Sequence, residues 1–521
     1  MLPSLEKLGP EAYLHSTEDA SRMARPQLKW WQRFLCIVWD ADLYTKSPAE
    51  RKLVFKLDCL ILSTLCLSWW LKYIDQANLA NAYVSGMKED LGILANEYTY
   101  MGTAYNVALT VMTLAANLII LKVRPSLWLP MCEVGWGIFT FAQAGAKTSE
   151  QMYAFRALLG LFEASYQPVV VFYLGSWYTK TELAKRMMLW FVTGPIGLAF
   201  SGFLQAAIYK NLEGVYGIRG WRWLYIICGC MTVPVGFVLF FLLPDFPHNT
   251  KSKLFTEEEK TLAQERCARN GTVAPTGKLG MPLVRQVLGH WRFWVIVPTY
   301  VLYACSIQDT NYFAIWLANN GFSVSDRNTL SSTMYVITIP FIIFYAYMSD
   351  RTGVRWAWLA GPVALACIPT GILALYDAVH TAPFNAVQGA AGQAPGRLLK
   401  EMAFMFSGIA YVTHVFYTYV NEICKGHAEE RAVVVGAMNA LFFSTNCWLP
   451  IVIFPQVEAP SFRKGFPATW AFGLACIPLF LLMRVMHKRQ LRQLASDEEN
   501  TSGSDVDEKG ERTMGSLGNA A

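Results

Sequence analysis

Apolar runs of about 20 residues recur along this chain, and at 1.5 Å per residue a run of that length crosses the ~30 Å hydrocarbon core of a bilayer as a helix. Twelve can be marked, in two sets of six. The first set covers 57–82, 99–121, 126–145, 151–174, 187–208 and 222–243; the second covers 292–317, 330–348, 356–376, 399–421, 432–455 and 467–486. Lipid offers the backbone no hydrogen-bond partners, so runs this long and apolar must close their bonds internally. The expected fold class is therefore an all-α membrane protein of twelve transmembrane helices in two six-helix halves. Its parts read as an N-terminal segment 1–56, a first half 57–243, a linker 244–291, a second half 292–486 and a disordered tail 487–521.

Charge supports this reading and suggests an orientation. Only 16% of residues are charged, against about 25% in soluble domains, and 54% are apolar. A soluble or nucleic-acid-binding chain is excluded. The net charge of +6 is modest. Residues 1–56 hold Lys7, Arg22, Arg25, Lys29, Arg33, Lys46, Arg51, Lys52 and Lys56, whereas the first opposite loop has Lys88 against Glu89, Asp90 and Glu97. The bias of Lys and Arg toward the cytosol places both termini there, in a multi-pass protein of the plasma membrane. WWQRFLCIVWD at 30–40 reads as an amphipathic interfacial helix, and TEEEKTLAQERCARN at 256–270 as a short charged helix on the linker. Trp177, Tyr178, Trp221 and Trp223 read as interface anchors. The 12 cysteines are scattered without disulfide or metal spacing. GTVAPTGKL at 271–279 lacks the glycine spacing of a phosphate loop, and HAEER at 427–431 lacks the second His of a zinc protease. No metal, organic cofactor or catalytic set is expected. The chain reads as a monomer in the bilayer.

Charge that survives inside a span marks a solute or proton path. In the fourth span, Arg156 and Glu163 are seven residues apart, two turns, and so share one face about 10.5 Å apart. Gly160 between them admits another helix or a solute. Glu163 lies near the midplane, where a charged carboxylate is costly and a proton is readily held; the alternative is an Arg156–Glu163 ion pair holding two helices together. In the first span, Lys72, Asp75, Gln76, Asn78 and Asn81 break the apolar run. Lys72 and Asp75, at i,i+3, can neutralise each other. Asp75 is either a second carboxylate on the path or part of an ordinary helix end. In the seventh span Gln308, Asp309, Asn311 and Tyr312 interrupt at the corresponding place, and matched polar breaks in two halves point to a central site. His414, Asn421, Glu422, Asn439 and Asn446 can bond a solute or neighbouring helices.

These residues carry a family likeness. SDRTGVR at 349–355 resembles the loop signature of the major facilitator superfamily. That resemblance implies the major facilitator fold and assigns Asp350, Arg351 and Arg355 to a gating loop that latches inner helix ends in the outward-open state. The matching first-half loop, LKVRPSLW at 121–128, departs from the pattern. YIDQANLANAYVSGMKEDL at 73–91, RALLGLFEASYQP at 156–168, LGSWYTKTELAKR at 174–186, GWRWLYIICG at 220–229 and NEICKGHAEERAVVVGAMNALFFSTNCWLP at 421–450 resemble the fungal anion:cation symporters, the allantoate permease-like family. Within it the likeness is strongest to the pantothenate transporters, because Gln follows the first-span Asp and the WWQRFLCIVWD preamble is similar. The resemblance implies secondary active, proton-coupled symport of a small organic carboxylate, pantothenate first among the candidates, with the proton as coupling ion. It places proton coupling on Asp75 and Glu163 and substrate binding on Arg156, with Gln76, Asn78, Gln308, Asp309, Asn311 and Asn446 as polar contacts. Many relatives have Arg where this chain has Gln76. The rival expectations are an exporter of a fungal secondary metabolite and a non-transporting nutrient receptor.

Overall fold

A computed structural model describes residues 29–30, 46–119, 123–269, 285, 287–379, 395–424 and 428–517. The interfacial helix expected at 30–40 lies, but for Trp30, outside them. Helices occupy all twelve expected positions, and no strand occurs among the described residues. By length and composition alone, eight of the described helices can cross a bilayer. The other four positions are the second, third, seventh and tenth.

Most helices overrun the expected spans. The first runs without a gap from Pro48 to Asp90, and the eighth covers Val324–Thr352. Apolar length marks only the hydrocarbon part, whereas the helix continues wherever a cap delays its end. Ser47 caps the first through Glu50 N, and Thr179 with Glu182 forms a capping box on Lys180–Leu212. The linker helix is observed at Glu257–Arg269. The last helix continues to Leu517, into the stretch expected to be disordered. No apolar signal marks this extension, which continues helical geometry into a polar sequence.

The irregular spans are the first and fourth of each half. The first contains π-helical turns at Asp58–Leu62 and Tyr83–Met87, the second of them with Gly86 at φ 106°. The fourth breaks into Ser149–Glu163 and Tyr166–Trp177. Pro168 explains that break: it has no N–H for the Ala164 carbonyl four residues back, which Thr113 Oγ1 approaches at 3.5 Å instead. The seventh splits into Trp291–Ser306, a 3-10 turn Gln308–Tyr312 and Phe313–Asn319. Polar side chains divert its backbone, with Thr310 Oγ1 donating to the Ile307 carbonyl at 2.8 Å. The tenth splits into Pro395–Ser407, a 3-10 turn Gly408–Ala410 and Thr413–Ile423. Its freed groups meet the Tyr303 hydroxyl, which accepts from Val412 N at 2.8 Å and donates to the Ala410 carbonyl at 3.1 Å. Broken helices in matching places of two repeats are where transporters build their central sites.

The halves meet through the second span on the eleventh and the fifth on the eighth. Three apolar clusters describe their relation. One mixes both halves, joining Tyr83, Val84 and Met101 to Tyr312, Trp316, Phe454 and Phe466. The buried members of the other two each come from one half with its adjoining segments, around Leu57, Trp136 and Tyr173 in the first and around Ile296, Phe416 and Phe480 in the second. The halves are thus welded on the face away from the linker and kept as two bodies on the linker face.

Candidate functional site

Among the described residues, five Asp, Glu, Lys or Arg side chains are buried inside the expected spans of the first half: Lys72 and Asp75 on the first, Glu133 on the third, and Arg156 and Glu163 on the fourth. Glu163 is the last residue before the fourth-span break, and its carboxylate has no exposed surface. Tyr105 of the second span donates its hydroxyl to Glu163 Oε2 at 2.5 Å, while Oε1 has no partner among the described residues. The same tyrosine holds the arginine: Arg156 Cζ lies 4.7 Å from the Tyr105 ring centroid, and Arg156 Nε and Nη1 are buried without acceptors among the described residues. The two charges predicted on one face are therefore linked through one aromatic residue. No contact ion pair joins them among the described residues. Gly160 makes this possible by close helix approach, since a Cβ there would lie 2.5 Å from the Tyr105 carbonyl oxygen.

Asp75 does not neutralise Lys72. Its Oδ2 accepts from Thr232 Oγ1 of the sixth span at 3.0 Å, and Asn78 Nδ2 approaches Oδ1 at 3.4 Å. Lys72 Nζ instead lies 4.9 Å from the Trp69 ring centroid. The i,i+3 spacing allowed the pair, but packing turned the partners to different neighbours. Asn78 is committed inside its own half: its Oδ1 accepts from Ser201 Oγ at 3.3 Å, and Asn81 Nδ2 reaches the same hydroxyl at 2.8 Å. Gln76 is exposed and bonds no described residue.

Glu133 is missing from the sequence expectations. It is fully buried, one oxygen accepts from Ser68 Oγ, and Oε1 has no partner among the described residues. Its signal was available, because it is the only formal charge in 126–145.

The second half contributes mostly neutral groups. Gln308 Nε2 donates to Asn446 Oδ1 at 2.9 Å, and Asn311 Nδ2 donates to Gln308 Oε1 at 2.9 Å. This chain of amides reaches the interface of the halves, where Asn106 Nδ2 meets the Asn446 carbonyl at 3.4 Å. Asp309 is buried in the seventh-span break and has no well-formed hydrogen bond among the described residues. Tyr417 donates to Asn439 Oδ1 at 2.7 Å and shares a 3.1 Å contact with the Tyr300 hydroxyl. His414 Nε2 is buried without a partner among the described residues.

On the linker face, Arg355 contacts Asp350, donates from Nε to Glu422 Oε1 at 2.8 Å and from Nη1 to Ser349 Oγ at 3.0 Å. Burial alone would lower the Arg355 pKa; the bonds it donates to Glu422 and Asp350 outweigh burial and hold it above its usual value. Arg351 is exposed and bonds no described residue. The first half has its own charge cluster there. Arg186 grips Asp58 with two bonds of 2.8 Å, and buried Arg266 of the linker helix reaches Glu182 at 2.6 and 2.7 Å and Glu50 at 2.9 Å. Lys46 adds a 2.5 Å bond to Glu182. Trp177 and Trp221, expected at the interface, are buried instead: Trp177 stacks on Phe255 of the linker at 5.5 Å, and Trp221 donates to Asp90 at 3.0 Å.

Comparison with known proteins places this geometry. Residues 65–450 match the family described as the Major Facilitator Superfamily. The chain is 32% identical over 464 residues to "MFS transporter PfmaC" of Pestalotiopsis fici, covering 87% of this chain and 84% of that protein. It is 30% identical over 443 residues to "Pantothenate transporter FEN2" of Saccharomyces cerevisiae, covering 82% and 83%. The crystal structure of a D-xylose-proton symporter superposes with a TM-score of 0.59 at 13% identity, over 82% of this chain and 97% of that one, a likeness of fold.

Proposed function

The chain belongs to the Major Facilitator Superfamily, and from that premise we propose that it is a proton-coupled symporter that carries a small organic carboxylate into the cell by alternating access. Pantothenate is the leading candidate, supported by the likeness to the yeast pantothenate transporter. The observation that carries the reading is Glu163, enclosed at a helix break, held by a hydroxyl and free of any contact ion pair among the described residues. A carboxylate kept that way can gain and lose a proton without breaking a salt bridge. Arg156 beside it has open donors for a substrate carboxylate.

Electroneutrality gives the coupling. A monoanion adds one negative charge to the site and a proton on Glu163 cancels it, so the loaded site costs no more to enclose than the empty one. Asp75, within the field of both Glu163 and Arg156, tunes the pair. The exposed Gln76 and the chain Gln308, Asn311 and Asn446 offer neutral contacts to the rest of the solute. The substrate would enter from an acidic exterior, with the linker face cytosolic and the plasma membrane as its location. In the state described, the far face is closed by the shared cluster around Tyr312 and Phe454. Rocking the halves about the site would close the linker face, with Arg355, Asp350 and Glu422 as its latch.

The test is Glu163→Gln. It should abolish accumulation driven by external acid while preserving counterflow exchange, because the bound solute is still carried. A mutant that concentrates pantothenate as the parent does would refute the assignment. Growth rescue of an uptake-deficient yeast on limiting pantothenate separates import from export.

A further inference from the structure

The five charges buried inside the expected spans of the first half share one pattern. Each carboxylate is held by a hydroxyl, Glu163 by Tyr105, Asp75 by Thr232 and Glu133 by Ser68. Each cation lies on an aromatic face, Lys72 on Trp69 and Arg156 on Tyr105. No contact ion pair joins any of the five among the described residues. A purely structural set would be expected to pair, since a buried charge without an opposite partner is costly. Cation–π contacts hold a cation in place without neutralising it.

Lys72 is the least accounted for. It is 7% exposed, no described residue accepts a hydrogen bond from it, and its nearest acid along the helix, Asp75, is engaged elsewhere. Trp69, which carries Lys72, stacks on Tyr166 of the fourth span at 6.0 Å, three residues past Glu163, and Arg156 shares Tyr105 with Glu163, so both cations are tied to the helix segment of the carboxylate whose Oε1 is open among the described residues.

We propose that Lys72 is a substrate-binding residue: its ammonium and the Arg156 guanidinium together receive the carboxylate of the transported solute beside Glu163. This deepens the carboxylate-symport reading and rests on it. The ligand is thus expected to need an anionic group, and its neutral analogue should bind poorly. Lys72 selects for charge, and the guanidinium, with its fixed fork, orients the two oxygens.

The experiment uses the purified full chain and measures binding by thermal stabilisation, with pantothenate against its alcohol pantothenol and nicotinate against nicotinamide. The parent should prefer at least one carboxylate over its neutral partner. Lys72→Met should reduce that preference by about tenfold or more, the size of one lost charge-assisted hydrogen bond. Lys72→Arg should retain most of it, which a loss of packing would not explain. Melting of the unliganded variants reports folding independently. If Lys72→Met keeps the parental preference, the inference fails and the symport reading stands. If the parent itself prefers neither carboxylate, both fail.

Discussion

Gly160→Ala adds one methyl group at the point where the fourth span touches the second. The new carbon would lie 2.5 Å from the Tyr105 carbonyl oxygen, with Tyr105 Cδ2 at 3.2 Å and Ala108 Cβ at 3.3 Å. A carbon and a carbonyl oxygen rest at roughly 3.3 Å, so the second span must withdraw by about 0.8 Å. That backbone carries the hydroxyl that holds Glu163. Moved rigidly, the 2.5 Å bond to Glu163 lengthens by up to about 0.8 Å, toward and past the end of the useful range of an O–H···O contact. The lost bond to a charged group is worth about 1.5–3 kcal/mol, and overpacking adds a cost of about 1–3 kcal/mol. Acid-driven accumulation in proteoliposomes should fall about tenfold or more, with a lower melting temperature in detergent. Tyr105→Phe removes the same bond without moving the backbone, so it should reproduce the transport defect with a smaller loss of stability. Gly361→Ala is the control, because a Cβ there meets nothing within 4 Å, and its effect should stay within about 0.5 kcal/mol. Parental accumulation and melting in Gly160→Ala would refute the close-approach argument.

Two further outcomes concern the linker face. Arg266→Met leaves Glu182 buried without its main cation, and a cost of about 3–5 kcal/mol should undock the linker helix, read as faster hydrogen exchange over 257–269. Burial pushes the Glu182 carboxyl up, but Arg266 and Lys46, with the Thr179 amide, outweigh it and hold it below its ordinary value. A depressed folded value means the stabilisation is present above the unfolded value, near pH 4.3, and is lost as pH falls through the folded one. Exchange in the parent should therefore rise only in acid below that point, and a linker already undocked at neutral pH would contradict the assignment. Arg355→Gln breaks ties to Asp350 and Glu422, whose side chains are 62% and 43% exposed. Its stability cost should stay below about 1 kcal/mol while turnover falls; unchanged turnover would remove Arg355 from the latch.

The helix count, the division into halves and the face shared by Arg156 and Glu163 were legible along the chain. Apolar length and helical rise are local quantities, set by the residues themselves and by 1.5 Å per step. The polar breaks were legible in part. Gln308 to Asn311 announced the seventh-span turn, and Pro168 stood in plain view four residues past Ala164, whose carbonyl it strands. The end of the last helix at Leu517 was not legible, since its polar sequence has no periodic apolar face to mark it.

What only the tertiary structure decided is who meets whom. Lys72 and Asp75 had the spacing of a pair, yet Thr232 of the sixth span took the acid and Trp69 the ammonium. Asn78 had the look of a solute contact and is spent on Ser201. Nothing near Glu163 in sequence pointed to Tyr105, 58 positions away, as the residue that binds it with a hydroxyl and Arg156 with a ring. Spacing within one helix sets which side chains can meet. Which of them do is settled by the side chains that neighbouring helices bring to the same depth, and that depends on packing six helices at once.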